Sequence, residues 1–207
     1  NCLMVKADGP VQSIADLKGK KIGYSVSGVE DALISTMLKK AGLTLDDVEM
    51  INVNWSLSPA LIAGQVDATI GAYRNFELTQ MRLENAEGRC FFVEEQGVPT
   101  YDELIFVANP ATMDADASRR FLHAVERGAQ YMVNHPDEAW QLFSATAPDL
   151  GDELNTEAWN ATLPRFSQSP AALDQGRYAR FEQFLLEAGL VDRPLPVADL
   201  ALDVGAP

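Results

Sequence analysis

Sulfur and imidazole ligands are scarce in this sequence. Its 207 residues include two cysteines, Cys2 and Cys90, and two histidines, His123 and His135. No Cys/His spacing matches a metal site. Both cysteines sit in apolar runs, which suits two inert buried thiols better than a disulfide, although spacing alone leaves the pairing open. His123 falls within a helical pattern and His135 precedes Pro136, so both read as structural or exposed. Basic residues are also in short supply: 16 Lys and Arg face 30 Asp and Glu, for a net charge of −14. That balance argues against nucleic acid and anionic membrane surfaces as partners. It leaves room for a small anionic ligand, because local backbone amides can outweigh the global field. No apolar run approaches the roughly 20 residues of a membrane span, and no internal repeat or low-complexity segment is present.

What is present is the composition of a globular chain, 47% hydrophobic and 22% charged, long enough for one or two domains. From Lys21 to Val93 the periodicity alternates. Short apolar runs at 21–25, 48–54, 68–72 and 90–93 read as strands, and helical spacing at 31–40, from Ser58 and at 76–84 separates them. A further short strand is expected at 3–5. This rhythm predicts a parallel, doubly wound α/β sheet with helices on both faces. Beyond a last strand at 104–108, Asn109-Pro110 marks a change, and the rest is almost wholly helical: 119–133, a helix opening at Pro136, 156–163 and 177–188. The proline-rich tail from Arg193 reads as extended.

The strand at 68–72 empties into Tyr73, Arg74, Asn75 and Glu77. In open α/β sheets ligands sit beyond the carboxyl ends of the strands. An aromatic face, an amide and a carboxylate there suit a flat, nitrogen-rich small molecule. Arg74 alternates with Tyr73 and Asn75 and so points away. A second candidate is the small-residue turn holding Ser25, Ser27 and Gly28, between a strand end and a helix start, where free N–H groups can hold anions or carbonyl-type acceptors. On the turn alone, ordinary serine caps are the simpler reading. Trp55 and Tyr101 follow strand or loop ends at the same edge.

These stretches resemble the pyrimidine-binding branch of the type II periplasmic substrate-binding proteins, which serve thiamin-precursor uptake. The resemblance rests on Asn1-Cys2-Leu3-Met4, the run Asp16-Leu17-Lys18-Gly19-Lys20-Lys21-Ile22-Gly23-Tyr24-Ser25, Pro59-Ala60-Leu61 and Val66-Asp67-Ala68. It rests above all on Gly71-Ala72-Tyr73-Arg74-Asn75-Phe76-Glu77 and Gly97-Val98-Pro99-Thr100-Tyr101-Asp102-Glu103-Leu104, with Asn134-His135-Pro136-Asp137-Glu138-Ala139 in support. The resemblance implies two lobes around a cleft, with residues 13–95 as the second lobe. Residues 1–12 and 96–207 would form part of the first lobe and the crossing strands. The chain opens inside a strand-like run, and the reading expects the amino-terminal part of the first lobe to be missing. Uncovered apolar faces would then favour self-association.

By the same resemblance Tyr73 is an aromatic platform for a pyrimidine, and Asn75 and Glu77 are partners of its ring nitrogens and exocyclic amine. Ser25, Ser27 and Gly28 contact its polar arm. The implied function is non-enzymatic capture of a thiamin-type aminopyrimidine in the periplasm (or outside the cell, membrane-anchored) and delivery to an ABC transporter permease, with no cofactor. The alternatives are a receptor for an alkylsulfonate or another heterocycle, a ligand-sensing domain of a regulator, and a pyrimidine-phosphate synthase. The last would use a protein histidine, pyridoxal phosphate and a cysteine-rich iron site, for which the Arg89-Cys90-Phe91-Phe92 context offers no cluster.

Overall fold

The computed structural model describes residues 1–170 and 172–204 and divides into two compact units, Asn1–Thr100 with Gln183–Asp192, and Tyr101–Glu182 with the segment from Arg193.

The first unit is built on five strands: β1 (Cys2–Lys6), β2 (Lys21–Tyr24), β3 (Glu49–Asn52), β4 (Ala68–Ala72) and β5 (Gly88–Phe92). They form one sheet in the order β3-β2-β4-β1-β5. The β3-β2-β4 part is parallel, as the sequence rhythm predicts. β1, however, runs antiparallel to both of its neighbours, β4 and β5, so the sheet is mixed. Sequence grouping places residues 1–12 with the segment from 96 onward, whereas hydrogen bonding builds Cys2–Lys6 into the middle of this sheet. Every residue of β4 is buried, the signature of a strand covered on both faces.

Three helices cover the sheet: α1 (Val29–Lys40), α2 (Leu57–Ile62) and α3 (Glu77–Leu83). Because side chains alternate along a strand, Cys2 and Met4 point into one cluster with Leu57, Ala60, Leu61 and Met81. α1 packs against β4 and buries Leu33, Ile34, Met37 and Leu38 completely. Each such side chain is worth about 1.5–3 kcal/mol on burial. Register at the amino end of β4 is fixed by Asp67, whose carboxylate accepts the Lys21 N–H at 2.9 Å while its own N–H reaches the Lys21 carbonyl at 2.8 Å.

The cysteines depart from expectation. Cys2 lies opposite Phe92 and Met4 opposite Cys90 in the β1–β5 ladder, so the two thiols are diagonal neighbours with Cα atoms 5.6 Å apart, and they form a disulfide. Apolar context favours free thiols; only strand register brings the sulfurs together.

The second unit contains α4 (Ala115–Asn134), α5 (Pro136–Ser144) and α6 (Glu153–Thr162), and α7 (Gln175–Glu187) begins in it. Asp114 and Asp152 cap α4 and α6 by accepting N–H groups three residues on, a contribution of about 1 kcal/mol each. Trp140, Phe143 and Trp159 form an aromatic cluster with ring centroids 5.4–6.0 Å apart. Phe121 of α4 is half exposed and meets Phe106 edge-on at 5.0 Å. The tail is not wholly extended, since Val197–Leu200 makes one helical turn, α8. The strand expected at 104–108 does not form. Leu104, Ile105, Phe106 and Val107 are 55–85% exposed, and no described segment pairs with them; a strand needs a neighbour to take its backbone groups.

Candidate functional site

The parallel β3-β2-β4 arrangement brings three loops to one edge of the sheet: 53–56 after β3, 25–28 after β2, and 73–76 after β4. Two contacts tie them together. The Ser25 hydroxyl donates to the Asn54 carbonyl, joining the first two loops. Glu30, at the start of α1, joins the loop after β2 to strand β4. Its Oε2 accepts the Ser25 N–H at 2.8 Å and the Val26 N–H at 3.1 Å. Its Oε1 lies 2.3 Å from where a Cβ of Gly71 would stand, and Gly71 has φ +95°. Only glycine permits both this backbone and that approach. Glu30 is 8% exposed, and burial raises its carboxyl above the usual 4.5 against the lowering effect of the two N–H donors.

Tyr73, Asn75 and Glu77 are brought together in one tight turn, all half-buried. The Tyr73 carbonyl accepts the Phe76 and Glu77 N–H groups at 3.0 Å. In return the Glu77 Oε2 accepts the Tyr73 N–H at 2.7 Å. The carboxylate is thereby fixed by its own loop at the start of α3. Burial is the main cause that raises its carboxyl. A half-buried carboxylate whose orientation is already set loses little freedom on meeting a donor, and charge-assisted bonds are about twice as strong as neutral ones.

Arg74 is engaged by residues beside the same turn. Its guanidinium makes a two-pronged bond to Glu94 at 2.8 and 2.9 Å, donates to the Asn1 carbonyl at 3.0 Å and covers the Phe92 ring at 3.9 Å. The Arg74 hydrogen bond holds the Glu94 carboxyl below its usual range. Trp55 follows Asn54, which takes φ +52°, and is 82% exposed at the same edge.

The turn with Ser25, Ser27 and Gly28 differs from the open anion site that its sequence permits. The Gly28 N–H and the Ser27 hydroxyl both donate to Asp31 Oδ2, at 2.8 and 3.0 Å. With Glu30 on Ser25 and Val26, the backbone donors of Ser25, Val26 and Gly28 are engaged by the chain's own carboxylates. Tyr101 belongs to the second unit, where its ring stacks on Phe181 at 4.5 Å and its hydroxyl donates to Glu103.

Glu30 is the residue that sequence reasoning missed. An acid in a first helical turn reads as a solvated dipole partner. The available signal was Gly71 inside an otherwise bulky buried strand, since such a glycine marks a close approach. Among the described residues, no group of His, Cys, Asp and Glu is arranged to hold a metal ion.

Residues 1–139 match the family described as NMT1/THI5 like. The chain is 48% identical over 205 residues to a putative thiamine biosynthesis protein of Haemophilus influenzae, covering 99% of this chain and 65% of that one. It is 32% identical over 165 residues to the formylaminopyrimidine-binding protein of Halalkalibacterium halodurans, covering 79% and 50%. It is 26% identical over 176 residues to the 4-amino-5-hydroxymethyl-2-methylpyrimidine phosphate synthase of Candida albicans, covering 80% and 52%. The chain therefore spans between half and two-thirds of the length of these relatives. Among solved structures, the periplasmic aliphatic sulphonate binding protein SsuA from Escherichia coli superposes with a TM-score of 0.68 at 17% identity, over 95% of this chain and 63% of that one. The fold is that of the type II periplasmic binding proteins.

Proposed function

Because the chain belongs to the NMT1/THI5-like family, we propose that it acts as a solute-binding protein for a thiamin-type aminopyrimidine. On this reading it works in the periplasm or outside the cell and hands its ligand to an ABC transporter permease. The observation that carries the reading is the turn after β4, where the Glu77 carboxylate is half-buried and held by the Tyr73 N–H at 2.7 Å. A carboxylate so placed accepts from an exocyclic amine and a protonated ring nitrogen together, a paired, charge-assisted contact. Tyr73 supplies a ring face, and Asn75 a donor and an acceptor. The unit built on β1–β5 is the lobe that bears these groups, and most of the segment from 101 belongs to the other. The relative named as a formylaminopyrimidine-binding protein supports this ligand class. The Cys2–Cys90 disulfide supports an oxidising compartment.

Calorimetric titration with 4-amino-5-hydroxymethyl-2-methylpyrimidine and its formylaminomethyl analogue tests the reading. The expected result is micromolar or tighter binding of at least one, lost in Glu77→Ala. Absence of heat with both overturns it.

A second reading, synthesis of the pyrimidine phosphate, is favoured by the 26% identity to the Candida albicans synthase. Against it, the cysteine-rich iron site expected of such an enzyme has no counterpart here, since both cysteines are consumed in one disulfide. Formation of a pyrimidine phosphate on incubation with pyridoxal phosphate, iron and oxygen would establish it.

A further inference from the structure

A strand-to-helix turn rich in small residues normally leaves N–H groups free for phosphate or sulfate. The turn between β2 and α1 has the sequence for this, yet its Ser25, Val26 and Gly28 N–H groups already donate to Glu30 and Asp31. A separate observation on another strand shows that the carboxylate of Glu30 is built in. Gly71 of β4 has φ +95°, and the space its Cβ would fill holds Glu30, with Oε1 at 2.3 Å and Cδ at 2.7 Å. Two elements thus cooperate to bury one acid in this turn. Glu77 adds a second half-buried carboxylate at the same sheet edge. Arg74, the cation of the turn after β4, is committed to Glu94, the Asn1 carbonyl and the Phe92 face.

We propose that Glu30 is a specificity-determining residue that fills the turn before α1 with an internal carboxylate and thereby restricts the ligand's arm to uncharged or cationic groups, rejecting phosphate esters. The inference rests on the pyrimidine-binding reading and deepens it. The site accepts a hydroxymethyl or aminomethyl arm and excludes the phosphomonoester of the same heterocycle. A phosphate brought to this edge meets two carboxylates with the backbone donors of Ser25, Val26 and Gly28 already engaged. Like charges set against one another in this way cost enough to weaken binding by about a hundredfold.

The experiment is a pair of titrations, with 4-amino-5-hydroxymethyl-2-methylpyrimidine and with its phosphate monoester, on the natural protein and on Glu30→Gln. Glutamine keeps the size and an acceptor oxygen but removes the charge. The natural protein is expected to prefer the free pyrimidine by about a hundredfold, and Glu30→Gln to narrow that ratio by at least about tenfold. A merely structural role for Glu30 would weaken both ligands together and leave the ratio unchanged, and that result overturns the inference. If Glu30→Gln does not fold, the natural protein still decides: comparable affinity for the two ligands overturns the proposal, and a preference of about a hundredfold or more supports it. Failure of the natural protein to bind either ligand overturns the pyrimidine reading itself and the inference with it. Binding of the free pyrimidine with unchanged selectivity in the variant defeats the inference alone.

Discussion

At the scale of single residues, the site depends on where charge and aromatic surface are fixed. Tyr73 is expected to stack on the pyrimidine. Tyr73→Ala should then weaken binding by about 1–3 kcal/mol, while Tyr73→Phe, which keeps the ring, should leave it nearly unchanged; calorimetry on the two variants separates stacking from a hydroxyl contact. Glu30 gives a second prediction, on stability. Burial raises its carboxyl above the usual 4.5. The folded chain therefore holds a proton that the unfolded chain has released, and stability falls as pH rises from the unfolded value through the raised folded one. Glu30→Gln has no such titration. Its stability relative to the natural protein should increase across that window, as read from urea midpoints between about pH 4.5 and 7. A relative loss on raising the pH would mean that the two N–H donors outweigh desolvation. Glu77, also raised, is common to both proteins and cancels. The clustering of Tyr73, Asn75 and Glu77 in one turn was legible in the sequence because a strand end has a local pattern. Glu30 was not, because its burial depends on a missing side chain 41 positions away, at Gly71.

At the scale of elements, β4 and the β1–β5 ladder hold the site edge in place. Gly71→Ala would put a methyl group 2.3 Å from Glu30 Oε1 at a φ of +95°. The expected cost is about 1–3 kcal/mol of stability for the backbone alone, seen as a lowered urea midpoint. Loss of ligand affinity should accompany it, since Glu30 and the turn after β2 must shift. The Cys2–Cys90 disulfide spans 88 positions. Its removal in a Cys2→Ser, Cys90→Ser protein should cost about 2–5 kcal/mol, with the same measurement as check; an unchanged midpoint would mean that the ladder alone fixes β1. Helix positions were readable because each helix carries its own apolar period and caps. β4 was readable to the residue, as a continuous apolar run between Asp67 and a turn. The place of β1 was not, since alternation reports that a strand is buried on a face and never which strands flank it. The run 104–108 fails for the same reason. Its composition is that of a strand, but strand formation is a property of a pair.

At the scale of the molecule, the exposed run meets the net charge. Leu104 and Val107 are each 85% exposed, with Ile105 and Phe106 above half, and their backbone lacks a strand neighbour among the described residues. Such a run offers both apolar surface and unpaired backbone groups to a second copy of the chain. The charge of −14 opposes that encounter, because like-charged molecules repel over about 10 Å at 0.1 M salt and over less as salt rises. Self-association is therefore expected to strengthen with added salt, whereas association through surface ion pairs would weaken. Sedimentation velocity at low and high ionic strength distinguishes the two. Leu104→Lys with Val107→Lys should return the protein to a monomer at high salt, because it removes apolar area and adds a charge that blunts an edge. These two positions lie outside the turn that bears Tyr73 and Glu77, so pyrimidine binding should survive in the same variant. If association persists there, it proceeds through another apolar face, for which Leu142 on α5, 61% exposed, is the next position to change.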